Sequence, residues 1–274
     1  MSSYSFYSLM SVNMNGKTKP DERRSLLSKI ITSSGSSLVF CQELPDCFEK
    51  DVVRKCGTCV YDFVRTGKEA AVMWSEAHFY GEPVDAAFKT RIRDTVVASK
   101  NFFSHVSEIT ARTAVVKLTS KSEACSFLAV SWHGPSKMKL EKKREVLKAL
   151  IPFLYEICLK TNVSSIIVGG DFNLSTSDEN GLEELNFPWY ELSPRGKLAK
   201  ERKGQGRPYI AYKDNFAITT ISPSVVSPFG VMNLSEVKPL LGFNLEGSEK
   251  GKDILDHDPI TGVLQVEKIN SFNW

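Results

Sequence analysis

Ile166-Ile167-Val168-Gly169-Gly170-Asp171-Phe172-Asn173 decides the fold. An apolar, β-branched run stops at two glycines and is followed by Asp, Phe and Asn. The run reads as a buried strand, and the glycines let the backbone turn sharply at its end. On an extended segment residues i and i+2 face the same way, so Asp171 and Asn173 are expected to point together while Phe172 enters the core. A carboxylate beside an amide at a strand end suits a site that handles a metal or a phosphoryl oxygen. The same residues also suit an Asx-type turn, and this stretch alone leaves both open.

Outward from that strand, the pattern is one of alternating elements. Tyr4–Val12 has strand character and ends in Asn13-Met14-Asn15-Gly16. Asp21 then caps a helix with Leu26, Leu27, Ile30 and Ile31 on one face. Leu38–Cys41 is a second strand that ends at Gln42-Glu43, and Phe48–Arg54 reads as a short helix. Val60–Val64 and Ala70–Trp74 pair through Thr66-Gly67-Lys68. Gly81–Ala98 is ambiguous, with Lys89, Arg91 and Arg93 expected on an exposed loop. Ala114–Leu118 and Phe127–Trp132 read as strands. Lys139–Thr161 is the longest helix candidate, with Pro152 predicting a kink or break. Ser175–Gly206 and Ile221–Gly251 read as irregular surface excursions, Asn215–Thr220 as a strand preceded by Asp214, and Ile260–Val266 as the last strand. Strands and helices interleave without a linker or repeat, which predicts one α/β domain over residues 1–274 with layered sheets.

The bulk properties narrow the classes. The 274 residues are 42% hydrophobic and 24% charged, an ordinary globular balance. A net charge of +3 fits an anionic partner without requiring one. No segment is long and apolar enough to cross a membrane. Ser5–Val12 is too polar for a signal sequence, and the six cysteines fit reduced thiols, so an intracellular protein (cytoplasm or nucleus) is expected. Cys56-Gly57-Thr58-Cys59 lacks the second pair that zinc would need. Asn162, Asn173 and Asn233 lie in glycosylation-type sequons that carry little weight without a signal sequence. His78 and His105 read as structural.

The polar candidates share one position. Asn13 and Asn15, Glu43, His133, Asp171 and Asn173, Asp214, and Asp256-His257 each adjoin one edge of a predicted strand, where ligands sit in α/β sheets. The ordered set Ser11-Val12-Asn13-Met14-Asn15-Gly16, Cys41-Gln42-Glu43, Ser131-Trp132-His133, Gly170-Asp171-Phe172-Asn173 and Asp256-His257 resembles the endonuclease/exonuclease/phosphatase superfamily, the DNase I-like fold. The likeness spans Ser5 to about Val266. It implies a four-layer α/β sandwich with two facing mixed sheets and outer helices, and metal-dependent phosphoester chemistry.

Each residue has a physical reading beside that resemblance. Glu43 is a hard oxygen ligand suited to Mg²⁺, with Mn²⁺ as a substitute, and Asn15 and Asp256 would complete the shell directly or through water. Members of the family often carry Asp where Asn15 stands, which puts a second metal at this position in doubt. The resemblance makes Asp214 the partner that orients His257. The general base is then His257 or Asp171. Asn173 and Asn13 are neutral donors for a non-bridging phosphate oxygen. His133 would hydrogen-bond or protonate a phosphoryl oxygen. By similarity to the DNase I branch, Glu69 is its carboxylate partner. Arg195, Lys197, Lys200, Arg202, Lys203 and Arg207 form either a solvated loop or a clamp on a phosphate backbone, with Tyr209 and Tyr212 near enough in sequence to stack on bases.

The expected activity is a nuclease, a monomer acting on DNA or RNA to leave 5′-phosphate and 3′-hydroxyl ends. Two other readings compete. One is hydrolysis of a small, lipid or protein–DNA adduct phosphoester. The Pro-Ala-Trp-Cys-Asp-Arg run of phosphoinositide 5-phosphatases is absent, which disfavours that branch. The other is a catalytically silent nucleic-acid-binding member, against which the intact polar set argues.

Overall fold

The computed structural model describes residues 3–14, 29–31, 34–44, 55–56, 59–67, 69–100, 108–123, 125–163, 165–173, 190–192, 208–214, 224–231 and 260–268. The described strands form two mixed sheets. One sheet has seven strands in the order β12-β13-β1-β2-β5-β4-β3. They are β1 (Ser3–Asn13), β2 (Leu38–Gln42), β3 (Lys55–Cys56), β4 (Cys59–Thr66), β5 (Ala70–Ser75), β12 (Ser224–Val231) and β13 (Ile260–Lys268). The other has six, in the order β10-β11-β9-β8-β7-β6. These are β6 (Phe79–Pro83), β7 (Thr113–Ser120), β8 (Ser126–His133), β9 (Ser165–Asp171), β10 (Tyr190–Leu192) and β11 (Pro208–Asp214). Among the described residues the helices are α1 (Ala86–Lys100), α2 (Glu108–Arg112) and α3 (Leu140–Thr161), with a further helical segment at 29–31.

Period-2 alternation sorts the side chains into layers. Tyr7, Leu9, Leu38, Phe40, Val116, Phe127, Ala129 and Ile167 fill the space between the sheets. On the outer face of the six-stranded sheet, Val115, Val130, Ile166 and Val168 pack under Leu150, Phe153, Leu154 and Ile157 of α3 and under Ile92 and Val96 of α1. On the outer face of the other sheet, Met10, Val12, Val39 and Cys41 meet Ile30 and Ile31 of a helical segment. Every residue of β9 is buried because both of its faces are covered.

Several expectations change. Residues 86–100 are helix, not loop. Asp85 starts it by accepting the Phe88 N–H at 2.7 Å through Oδ1, and Lys89 is buried rather than exposed. The helix α3 runs on through Pro152. Strands β10 and β12 lie within stretches expected to be irregular. In β12 the register against β13 shifts between Val226 and Gly230, around Pro228, which has no N–H for a ladder. Residues 215–220 and the proposed helix at 48–54 lie outside the described residues.

Candidate active site

Four inward-facing rows change character together towards one rim. On β1 the row reads Tyr7, Leu9, Ser11, Asn13; on β8 it reads Phe127, Ala129, Ser131, His133; on β9 it reads Ile167, Gly169, Asp171. On β2 it reads Leu38, Phe40, Gln42. Strands β1 and β2 are parallel with Asn13 opposite Gln42, and β8 and β9 are parallel with His133 opposite Asp171. Their carboxyl ends therefore open at the same place. Beneath it, Gln42 Nε2 donates to Ser131 Oγ at 3.0 Å, and Ser131 Oγ donates to the Cys41 carbonyl at 2.8 Å, so the sheets are tied together there. Gly169 has no side chain because the Phe40 ring occupies that position, and a Cβ on Gly170 would overlap the Trp132 carbonyl. The two glycines lie inside β9 with ordinary extended backbone, so packing, and not the sharp turn expected at them, is what requires them.

At the rim, Asn13 Nδ2 donates to Asp171 Oδ2 at 2.9 Å, joining one sheet to the other. The Asn13 amide also hydrogen-bonds Glu43. Asp171, 2% exposed, accepts the Asn173 N–H through Oδ1 at 2.9 Å. This is the Asx-type turn, and it coexists with the site rather than excluding it. Asn173 adopts φ +52 and donates through Nδ2 to the Gly134 carbonyl at 2.8 Å. Both asparagines are therefore engaged in holding Asp171, Glu43 and the loop after His133.

His133 sits between two carboxylates. Its Nδ1 lies 2.5 Å from Glu69 Oε2 and its Nε2 lies 3.2 Å from Glu43 Oε1. The second contact is off the ring N–H axis, so Nε2 has an ion-pair neighbour but no aligned acceptor. Burial by itself lowers the proton affinity of the imidazole, but Glu43, Glu69 and Asp171 outweigh it and raise the pKa to about 9. At neutral pH the ring is an imidazolium. The Glu43 carboxyl is held below its ordinary range by the adjoining His133 imidazolium at 3.2 Å, against the opposing effect of burial. Glu69 is in turn held by Arg112 Nη1 at 3.1 Å, and Arg112 also contacts Glu108 at 2.9 Å. Arg112 is a site residue that the sequence reading missed. A lone arginine before a strand carries no motif that marks it.

The other candidates divide by place. Register sets Asp214 opposite Ser165 and Pro208 opposite Asp171. Asp214 is thus at the far end of β9, about 20 Å from the rim at roughly 3.3 Å per residue. The antiparallel direction of β11 is the reason. Asn15, Asp256, His257 and the basic residues Arg195, Lys197, Lys200, Arg202, Lys203 and Arg207 lie outside the described residues. The ends of neighbouring strands are informative nonetheless. β13 begins at Ile260, opposite Ser11, so the chain enters this sheet at the Asn13 end. The connection from Leu192 to Pro208 leaves and re-enters the other sheet at the Asp171 end.

Among the described residues no cluster of three or more His, Cys, Asp and Glu side chains is arranged to hold a metal. Of the candidate ligands Asn15, Glu43 and Asp256, Glu43 is the one among the described residues. It is an anionic oxygen donor with its side chain 30% exposed, at φ +50 just past its strand. Mg²⁺ needs only one or two carboxylates because it keeps several waters.

No protein-family model matches the chain, and no curated protein matches it. Solved structures do. An endonuclease/exonuclease/phosphatase family protein from Bacteroides thetaiotaomicron aligns with a TM-score of 0.64 at 13% identity, covering 96% of this chain and 98% of that one. A mannosyl-6-phosphatase from Bacteroides thetaiotaomicron VPI-5482 aligns at 0.62 and 13%, covering 94% and 99%. D. rerio TDP2, complexed with a single-strand DNA product, aligns at 0.60 and 12%, covering 95% and 99%. The chain has the DNase I-like fold of endonuclease/exonuclease/phosphatase proteins.

Proposed function

We propose that the protein is a metal-dependent phosphodiesterase that hydrolyses the backbone of a nucleic acid. The observation that carries this reading is the convergence of Asn13, Glu43, His133 and Asp171 from two sheets onto one rim. Glu43, with Asn15 and Asp256 as further candidates, would hold a divalent cation of the Mg²⁺ or Mn²⁺ type. When bound, such a cation neutralises phosphate charge and assists the leaving oxygen.

The chain's own groups divide the remaining work. The His133 imidazolium supplies positive charge and a proton to a phosphoryl oxygen, and Glu69 holds the ring in place through Nδ1. Asp171 is oriented by Asn13 and by the Asn173 N–H, and it takes the proton of the attacking water. His257 remains the other candidate for that role. Asn13 and Asn173 fix the acceptor geometry before substrate arrives.

Two features favour a polynucleotide. The connection holding Arg195, Lys197, Lys200, Arg202, Lys203 and Arg207 returns to the sheet at Pro208, the register partner of Asp171. Beyond His133, the exposed residues Lys137, Lys139 and Lys142 lead into α3. Both suit a sequence-independent grip on phosphates. The test is hydrolysis of single-stranded DNA, duplex DNA, RNA, a lipid phosphodiester and a sugar phosphate, each with Mg²⁺ or EDTA. Metal-dependent cutting of a polynucleotide is expected. Activity confined to the sugar phosphate or the lipid ester would overturn the substrate class, and metal-independent activity would overturn the role of Glu43.

A further inference from the structure

Lys89 is a buried cation that the proposed chemistry does not use. It lies on the first turns of α1 and is 4% exposed. Burying an ammonium is costly unless its hydrogens are all accepted. Three acceptors surround it: the Thr113 carbonyl at 2.8 Å, Thr66 Oγ1 at 2.9 Å and the Thr110 carbonyl at 3.5 Å. Burial lowers its pKa to about 8, opposed by the charge of Asp85. No carboxylate is in contact with the ammonium among these partners, so ion pairing does not explain its position.

Its partners do explain it. Thr66 ends β4, and its hydroxyl also donates to the Thr113 carbonyl at 2.7 Å. Ammonium, hydroxyl and carbonyl thus form a closed triangle that joins α1, the β4–β5 turn and the start of β7. The Thr66 carbonyl accepts the Glu69 N–H at 3.2 Å across that turn, where Gly67 takes φ +52. Glu69 then faces the site twice. Its carboxylate meets His133 Nδ1 at 2.5 Å, and its backbone carbonyl accepts the Glu43 N–H at 3.1 Å. The second bond steadies Glu43 at its left-handed φ of +50, a backbone region that non-glycine residues rarely adopt.

We infer that Lys89 is a positioning residue: its ammonium locks the Thr66–Ala70 turn so that Glu69 presents its side chain to His133 and its carbonyl to Glu43 together. The inference rests on the proposed hydrolase reading only for the consequence in catalysis. The geometric part can be read without substrate.

The experiment follows the His133 ring N–H by proton NMR in metal-free protein, with Glu69→Gln to assign the resonance. In Lys89→Met, which keeps the stem and removes the ammonium, the resonance moves upfield or is lost to exchange, and Lys89→Arg restores it at least in part. Catalysis, where present, falls by about 10- to 100-fold in kcat with little change in KM, as expected for misplaced rather than missing groups. A folded Lys89→Met protein with an unchanged resonance would overturn the inference. Thr66→Val removes one hydroxyl from the same triangle and gives the same test should Lys89→Met not fold. A wild-type protein without hydrolytic activity whose resonance still responds to Lys89→Met would end the hydrolase reading and leave the clamp intact.

Discussion

Protonated His133 predicts a pH-dependent stability whose sign and window are fixed by its surroundings. The folded pKa of about 9 lies above the ordinary value of 6.5. A group raised on folding stabilises fully below its unfolded pKa and loses that contribution as pH climbs through the folded one. At about 1.4 kcal/mol per tenfold change in proton affinity, the rise corresponds to about 3 kcal/mol. The ring is 5% exposed, so solvent screening takes little from it. The perturbation is His133→Asn. The assay is urea unfolding in EDTA from pH 6 to pH 10, read as the difference between wild type and variant. Lys89, held down near 8, gains stability with rising pH in part of this window, but it is common to both proteins and drops out of the difference. Glu43 is held low and titrates below the window. The wild-type advantage should shrink by about 3 kcal/mol between pH 6 and pH 10. A difference that stays flat, or one that grows with pH, would refute the assignment of an imidazolium clasped by Glu43 and Glu69.

Two further outcomes follow from the rim. Asp171→Asn should cut hydrolysis by about 100-fold or more, as expected for a missing general base, and lower stability by about 2 kcal/mol because the Asn13 amide loses a charged acceptor; full activity in a folded variant, measured at saturating metal, would move the base to His257. Gly170→Ala should destabilise by at least about 2 kcal/mol in thermal or urea unfolding, since the new methyl would meet the backbone carbonyl of Trp132 and the β8–β9 pair would have to part.

Much of the rim was legible because alternation along a strand is a local property. The strands ending in Asn13, His133 and Asp171 are apolar stretches that turn polar at their last residues, period 2 puts Ser11 with Asn13 and Ser131 with His133 on one face, and the glycines before Asp171 announce the end of β9. Asp214 was misplaced for the opposite reason. Its identity was read correctly as a carboxylate beside a strand, but strand direction decides which end of the sheet it occupies, and direction is set by pairing with β9 rather than by local residues. Lys89 was missed because a single lysine among Phe88, Arg91 and Arg93 looks like part of a solvated surface. Only the packing of α1 against Thr66 and Thr113 reveals it as buried. The Asn13 and Asn173 amides show the same limit: donor type is visible in sequence, and the acceptor each has chosen is not.

The central claim is that a divalent cation and a protonated imidazole share this rim through Glu43. Titrating metal-free protein with Mn²⁺ while observing the His133 ring resonances tests it most directly, because the paramagnetic ion broadens nearby protons. The account predicts selective broadening at His133 in wild type, with His78 spared, and its loss in Glu43→Gln. Broadening that persists undiminished in Glu43→Gln, or no broadening at His133 in the wild-type protein, would contradict it.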